Sequence, residues 1–183
     1  MSSFDPSRYG PIVASLLDYA HPAPLDAGQP NEKFRLALFT LTPEKLFALT
    51  GQPIRDLRMS NACLAGLWLR HNFLDESHAL SQEIETPTGS FWHAILHRRE
   101  GDFGNARYWF RRLGPHPIFP ALNEAAAATG WPASPRWNPV ALVDAVEQAA
   151  RNQNAQPSPQ ILIAVQQIEW ELLFDFSWKQ ALA

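Results

Sequence analysis

The run of residues 56–74 constrains the fold more than any other segment, because it is apolar on nearly every side. Its apolar residues are Leu57, Met59, Cys63, Leu64, Leu67, Trp68, Leu69, Phe73 and Leu74. A helix with apolar residues all round has to be covered by protein on all its faces. Ala62, Ala65 and Gly66 are small enough to let neighbouring helices approach closely. The run therefore predicts a central buried helix, with His71 buried near its end.

Start and stop signals for helices recur along the rest of the chain. Thr86 and Asn138 each precede a proline, an arrangement typical of a helix N-terminus, and Gly101 is a typical C-terminal stop. Period-3.6 apolar spacing accompanies these signals. We predict an all-α fold, a helical bundle of about seven to nine helices around the central apolar helix.

The chain length predicts one domain. A chain of 183 residues with 46% hydrophobic residues can build one core and does not require two. We expect a single helical domain over residues 1–183, with residues 1–10 as an irregular N-terminal arm. The last helix, from about residue 158, carries apolar residues on two sides. It is expected to pack both ways, either within the fold or across a homodimer.

Charge and cysteine content exclude several classes of protein. A net charge of −3 argues against general nucleic-acid binding, which requires a basic surface. Cys63 is the single cysteine, so an internal disulfide is excluded and a reducing compartment is favoured. The N-terminus lacks the basic and apolar regions of a signal peptide, and no stretch of about 18 apolar residues occurs. We expect a soluble, cytoplasmic protein with no nucleic-acid and no membrane partner.

Residues 86–117 predict a helical hairpin that is unusually rich in charged and aromatic side chains. This segment holds five of the twelve arginines and three of the six histidines. Its first helix places His93, His97 and Glu100 on the face opposite its apolar residues. The second helix carries a stripe of polar and charged residues, which are Asn105, Arg107, Tyr108, Arg111 and Arg112.

Arg99 lies on the apolar side of the first helix of this hairpin. A buried cation is costly unless a carboxylate or a ligand meets it. We therefore predict that Arg99 is buried and paired with a carboxylate. The candidate partners are Asp75, Glu76, Glu83 and Asp102.

Two resemblances involve the hairpin. Ala94, the turn at 101–103, Ala106 and Phe110 fall at the spacing of a tetratricopeptide unit, and the hairpin resembles one such unit. No second copy follows at a period of about 34 residues. The wider segment from LDESHALSQEIETPTGSFWH through HRREGDFGNARYWFRRLGPHPIF, about 50 of the 183 residues, resembles an uncharacterised group of helical proteins. No activity is known for that group, so the resemblance adds no catalytic residue.

The clustering of arginines, histidines and rings favours a pocket for a small anionic molecule. In this hypothesis His93 and His97 move a proton, and arginine N–H groups hold the anion. The expected ligand-binding residues are His78, Arg98, Tyr108, Arg111 and Arg112. No metal is required; if one is present, the expected ligands are His93, His97 and Glu76, with Glu100 nearby. No cofactor can be named.

The alternative is a non-enzymatic scaffold or protein-interaction module, in which the hairpin is an internal salt-bridge network. Residues typical of a nucleophilic triad, a phosphate-binding glycine loop or a zinc finger do not occur at the required spacings. Whether the protein is an enzyme is therefore left open by the sequence. The two hypotheses differ in one structural feature, since the scaffold gives every arginine its own carboxylate.

Overall fold

The computed structural model describes residues 4–18, 22–152 and 154–183, and these form helices and loops without a strand. The α-helices are α1 (Gly10–Leu17), α2 (Arg35–Phe39), α3 (Pro43–Phe47), α4 (Leu57–Arg70), α5 (Leu74–Ser81), α6 (Pro87–Glu100), α7 (Phe103–Leu113), α8 (Phe119–Ala127), α9 (Pro139–Arg151) and α10 (Pro159–Leu182). Two short 3₁₀ helices span Pro6–Tyr9 and Glu32–Phe34. The predicted single-domain all-α bundle is confirmed. The described residues hold ten α-helices, above the predicted number, because α2 and α3 are short helices of five residues each.

Helix α4 is the predicted central helix. The Asp56 side chain caps its N-terminus, and eleven of its fourteen residues are buried. Helices α3, α5, α6 and α10 pack against it. A Cβ added at Gly66 would lie 2.8 Å from two ring carbons of Trp92, and the Trp170 indole N–H donates to the Gly66 carbonyl at 2.9 Å. The small residue thus allows α6 and α10 to approach α4, as predicted. His71 is buried, with 1% exposure.

Helix α6 is as deeply buried as α4, because α4, α5 and α7 pack around it. Thr86 caps its N-terminus by accepting the Gly89 N–H, and Gly101 ends it with a φ of 82°. Its buried residues include five polar ones, which are Thr88, His93, His97, Arg98 and Arg99. Two members of the predicted polar stripe, His93 and His97, therefore face other helices, whereas Glu100 at the helix end is exposed.

Helix α10 uses both of its apolar sides inside the fold. Leu162, Val165, Leu173 and Phe174 are fully buried, and a second set packs against the same core while partly exposed. That second set is Ile161, Ile168, Leu172 and Phe176. Both apolar sides therefore contact the core, although the second set stays partly exposed, and the homodimer remains a prediction. None of the described helices has both the length and the apolar content needed to cross a bilayer.

The predicted irregular arm over residues 1–10 is wrong from residue 6 onward; residues 1–3 lie outside the described residues. Asp5 caps the 3₁₀ turn, and Gly10 begins α1. The Tyr9 hydroxyl donates to the Asp175 carboxylate at 2.8 Å, and its ring packs edge-on against Trp178. This contact with α10 orders the segment, and it joins residues 166 positions apart, a separation that local patterns do not report.

Candidate functional site

Arg99 is buried, as predicted, with 2% exposure, but the predicted carboxylate partner is wrong. Its guanidinium donates to the carbonyls of Leu69 at 2.6 Å, Asp26 at 3.1 Å and Ala27 at 3.2 Å, and to the Asn72 amide oxygen at 2.6 Å. Burial, followed by the charge of Arg98, lowers the pKa of Arg99 to about 9, so it remains a cation at neutral pH. Backbone carbonyls satisfy this cation, and carbonyls have no signature in a sequence.

The Arg98 guanidinium is committed to an ion pair inside the fold rather than to a free anion. It pairs with Glu169 of α10 through two contacts, at 2.5 and 3.3 Å, and neither side chain has any exposure. The Gln166 side-chain oxygen accepts a further bond at 3.4 Å. This arginine therefore joins α6 to α10, and its place is the one that the scaffold hypothesis expects.

His78, His93 and His97 form a cluster between α5 and α6. Each offers a ring nitrogen, and the three nitrogens lie within 4.8 Å of one another. His93 and His97, one turn apart, stack with their centroids 4.5 Å apart; the His78 ring meets His93 edge-on at 4.7 Å. His93 and His97 are buried, whereas His78 is partly exposed. We call this group the histidine cluster. The sequence placed these residues on neighbouring helices, and the structure brings them together.

His97 is held in one orientation by two polar partners. The Asn105 amide of α7 donates to its Nε2 at 3.0 Å, so Nδ1 carries the proton and donates to the Glu100 carboxylate at 2.9 Å. A carboxylate on one imidazole nitrogen fixes the ring so that the other nitrogen faces inward. Asn105 follows His97 by eight residues across the hairpin turn, and the turn brings the two side chains together.

His93 has no hydrogen-bond partner for either ring nitrogen among the described residues, although both nitrogens are buried. Trp109 stacks on its ring at 4.3 Å, and the Arg112 guanidinium lies over Trp109 at 5.1 Å. Burial, then the nearby His97 and His78, lowers the pKa of His93 to about 4. It is therefore a neutral imidazole at physiological pH, with both nitrogens unused by protein.

The remaining predicted ligand-binding residues do not join the histidine cluster. Tyr108 is 53% exposed and accepts a bond from Arg112 at 3.4 Å. Arg111 lines a separate cleft. Glu76, the predicted carboxylate ligand of a metal, instead pairs with Arg35 at 2.9 Å. The only carboxylate bonded to a histidine of the cluster, within the part of the chain that the structure describes, is Glu100.

Arg107 and Arg111 are like charges four residues apart on α7, and carboxylates of another helix compensate the charge of Arg107. It pairs with both Asp144 and Glu147 of α9. Arg111 and Arg112 form no ion pair with the described residues. Arg98, Arg99 and Arg107 are therefore bonded within the fold, whereas Arg111 and Arg112 have no carboxylate partner among the described residues. Neither hypothesis from the sequence accounts for all five arginines.

In comparisons with known proteins, no family model matches the chain, and no curated protein and no solved structure matches it significantly. The resemblance of the hairpin segment to an uncharacterised helical group therefore stays a prediction. The function has to be argued from the geometry of the site.

Proposed function

We propose that this protein binds a divalent transition-metal ion, zinc being the best fit, through His78, His93 and His97. The observation that carries the proposal is the approach of three imidazole nitrogens to within 4.8 Å of one another. Zinc bound to imidazole has Zn–N distances of about 2.0–2.1 Å, which place tetrahedral ligand atoms about 3.3 Å apart. Small rotations of the side chains, on the order of 1–2 Å at the nitrogens, close that difference.

The state of His93 supports metal binding. A histidine binds a metal as the neutral imidazole, and the pKa of about 4 keeps His93 neutral across the physiological range. A buried polar group without a partner costs about 1–3 kcal/mol, and an ion bound at one nitrogen would remove much of that cost. The missing hydrogen-bond partners set His93 apart from a histidine such as His116, which is also buried and neutral but bonds Thr88.

The partners of His97 support the same reading. Metal-bound histidines commonly donate their second N–H to a carboxylate, which fixes the ring and raises its basicity as a ligand. Glu100 already occupies that position on Nδ1. An ion at Nε2 would take the place of the Asn105 amide, which would then be free to bind a water or another ligand of the ion.

Three protein ligands leave one position open on a tetrahedral ion, as in catalytic rather than structural zinc sites. When bound, zinc supplies a Lewis acid and lowers the pKa of a coordinated water. His78, which is partly exposed, lies on the side from which such a ligand would enter. The small anionic molecule expected from the sequence would then bind at the open position of the ion.

A metal-free acid–base site fits the cluster less well. A general base works best when its pKa lies near the operating pH, and the pKa of about 4 for His93 is too low for that role. No hydrogen bond orients His93 as a proton-transfer group, since its nitrogens lack partners within the described chain. The geometry therefore favours metal binding over direct proton transfer by His93.

A cytoplasmic location and the absence of nucleic-acid and membrane partners belong to the same proposal. They rest on the net charge of −3 and on Cys63, a free thiol that is buried. Metal binding by the histidine cluster does not depend on either.

Calorimetric titration of the EDTA-treated, dialysed protein with Zn²⁺ tests the proposal, and Co²⁺ absorbance reports the ligand geometry. We expect one ion per chain and a tetrahedral cobalt spectrum. His78→Gln and His93→Gln should each weaken binding by at least about tenfold, since each removes a direct ligand. His116→Gln is the matched control, because His116 is a buried histidine that bonds Thr88 instead. Zinc bound equally well by His78→Gln, His93→Gln and the wild type would reject the site.

A further inference from the structure

A second concave site lies between the C-terminal end of α7, the start of α8 and the loop before α9. It is a cleft of about 630 Å³, a volume that suits a small organic molecule. We call it the α7–α9 cleft. It shares no residue with the histidine cluster, and its walls come from segments separated by the proline-rich loop 132–135.

The charge of this cleft is one-sided. Arg111 and Arg136 line it, and their side chains form no hydrogen bond or ion pair with the described residues. No aspartate or glutamate is among the lining residues. Arg98, Arg99 and Arg107 all donate to carboxylates or backbone carbonyls, whereas Arg111 and Arg136 face one cleft that has no carboxylate.

Two helix N-termini add positive potential at the same place. Helix α8 begins at Phe119 and α9 at Pro139, and both residues line the cleft. The Phe119 N–H already donates to the His116 carbonyl at 3.0 Å, and Asn138 caps α9 by accepting the Val140 N–H, so these helix ends contribute the positive ends of their dipoles rather than free donors. An anion is the ligand that positive helix ends and unpaired guanidinium groups jointly favour.

The wall of the cleft carries an unused donor. Trp137 is 7% exposed, and its indole N–H has no hydrogen-bond partner in the described chain. The indole nitrogen is itself buried, so a ligand in the cleft would contact the ring of Trp137 rather than this N–H. His116, another lining residue, is already committed: it bonds Thr88 and accepts the Ile118 N–H, and burial lowers its pKa to about 4.

Most of the remaining lining residues are apolar, and they include Phe119, four prolines and the Trp137 indole. Asn123 and Asn138 are the polar exceptions. Rings stack on aromatic and guanidinium planes, and an apolar body gains from burial there. The cleft therefore combines a positive rim with an aromatic wall.

We propose that the α7–α9 cleft binds a small organic anion that carries a planar apolar ring, such as an aromatic carboxylate or aromatic phosphate. Arg111 and Arg136 hold the charged end, and Trp137 and Phe119 contact the ring. This binding is independent of the metal, because the histidine cluster lies elsewhere.

Calorimetric titration of the full chain in the presence of EDTA tests the proposal, with 1-naphthyl phosphate and 2-naphthoate as probes. Two control probes each lack one half of the ligand. The neutral 2-naphthalenemethanol has the ring without the charge, and inorganic phosphate has the charge without the ring. We expect saturable one-to-one binding of at least one naphthyl anion, and binding at least about tenfold weaker for both control probes, because each loses either the charge-assisted bonds or the ring contact.

Variants locate the binding. Arg111→Gln and Arg136→Gln replace exposed side chains, so folding should be retained. Each variant should bind the naphthyl anion at least about tenfold more weakly than the wild type. Arg112→Gln is the matched control, since it removes the same charge from the neighbouring position and does not line the cleft. It should change the affinity less than about twofold. Equal losses in Arg111→Gln and Arg112→Gln, equal binding of the neutral probe, or no saturable binding would overturn the proposal.

Discussion

Arg98 and Glu169 form a two-contact ion pair in which neither side chain has any exposure, so α6 and α10 are joined by charges inside the core. Removing one partner of a buried pair leaves the other charge uncompensated, which costs far more than the pair itself contributes. The pair is therefore sensitive to single substitutions, although a double apolar replacement can be tolerated.

Arg98→Met or Glu169→Leu alone should lower the free energy of unfolding by about 3–5 kcal/mol, and the double variant should lose less than either. Urea unfolding followed by circular dichroism measures all three. The matched control is Arg151→Ala, which breaks an exposed pair with Glu147 and should cost within about 0.5 kcal/mol. Additive losses in the double variant would contradict the coupling.

Arg99→Ala should destabilise the protein by more than about 2 kcal/mol, because three carbonyls and the Asn72 amide would lose a buried donor. Arg99→Lys should restore less than half of the loss, since one ammonium cannot reach four acceptors on α4 and the 26–27 loop. Arg58→Ala, an exposed arginine beside the cap of α4, is the control and should be nearly neutral. Full rescue by lysine would show that the charge alone matters.

The two arginines show how far the sequence leads. Periodicity placed Arg99 on the apolar side of α6 and so predicted its burial, because a helix face follows from spacing alone. Its partners are mostly backbone carbonyls from a loop and a helix end, and any residue type can supply those. Arg98 was predicted at a pocket, yet its partner Glu169 lies 71 residues away on α10. Long-range pairing of that kind leaves no local pattern.

Local sequence patterns likewise predicted only part of the candidate site. The helix ends at Thr86 and Gly101 were predicted because they depend on neighbours in sequence. The i, i+4 spacing of His93 and His97 also predicted a shared face. The bond from Asn105 to His97 and the burial of the cluster under α5 and α7 required the tertiary arrangement. Arg136 and Trp137 lie outside the hairpin, and no pattern in the sequence assigned them to a site.

Gly66→Ala should lower the free energy of unfolding by about 1–3 kcal/mol, because the added Cβ would lie 2.8 Å from the rigid Trp92 ring. Gly104→Ala is a matched glycine substitution within a helix. Its Cβ would meet only the Asp102 carboxylate, at 3.7 Å, so the variant should be neutral or gain up to about 1 kcal/mol from helix propensity. Thermal and urea unfolding of the two variants measure the difference. Equal stability of both variants would mean that α6 can shift away from α4 without cost.

The metal-free protein should lose stability as the pH falls from about 6.5 to about 4. His71, His93 and His116 have ordinary pKa values of 6.5 when unfolded, and burial lowers each to about 4 in the folded protein. As the pH falls, the unfolded chain therefore binds protons before the folded protein does. The free energy of unfolding has its full value above about pH 6.5, and it decreases until the folded histidines also protonate. Each histidine contributes up to about 2–3 kcal/mol to this loss.

The measurement is the urea unfolding free energy in EDTA as a function of pH. His116→Gln removes one titrating group and should flatten the slope between pH 6.5 and 4.5, a range above most of the carboxylate titrations. Lys179→Gln, an exposed substitution, should leave that slope unchanged. An identical slope in wild type and His116→Gln would mean that this histidine is already solvated.

Glu100→Gln should weaken zinc binding by about tenfold to a hundredfold, because the carboxylate that accepts the His97 N–H fixes the ring and raises its basicity. Glu100 is partly exposed, so the fold should be retained. Glu83→Gln makes the same change at an exposed carboxylate and should leave zinc affinity unchanged.

Asn105→Ala separates the metal site from a purely structural cluster. An ion at Nε2 of His97 displaces the Asn105 amide, so the variant should bind zinc at least as tightly as the wild type while becoming less stable without metal. Unchanged zinc affinity in Glu100→Gln would place the ion away from His97, and weaker binding in Asn105→Ala would show that the ion does not displace the Asn105 amide.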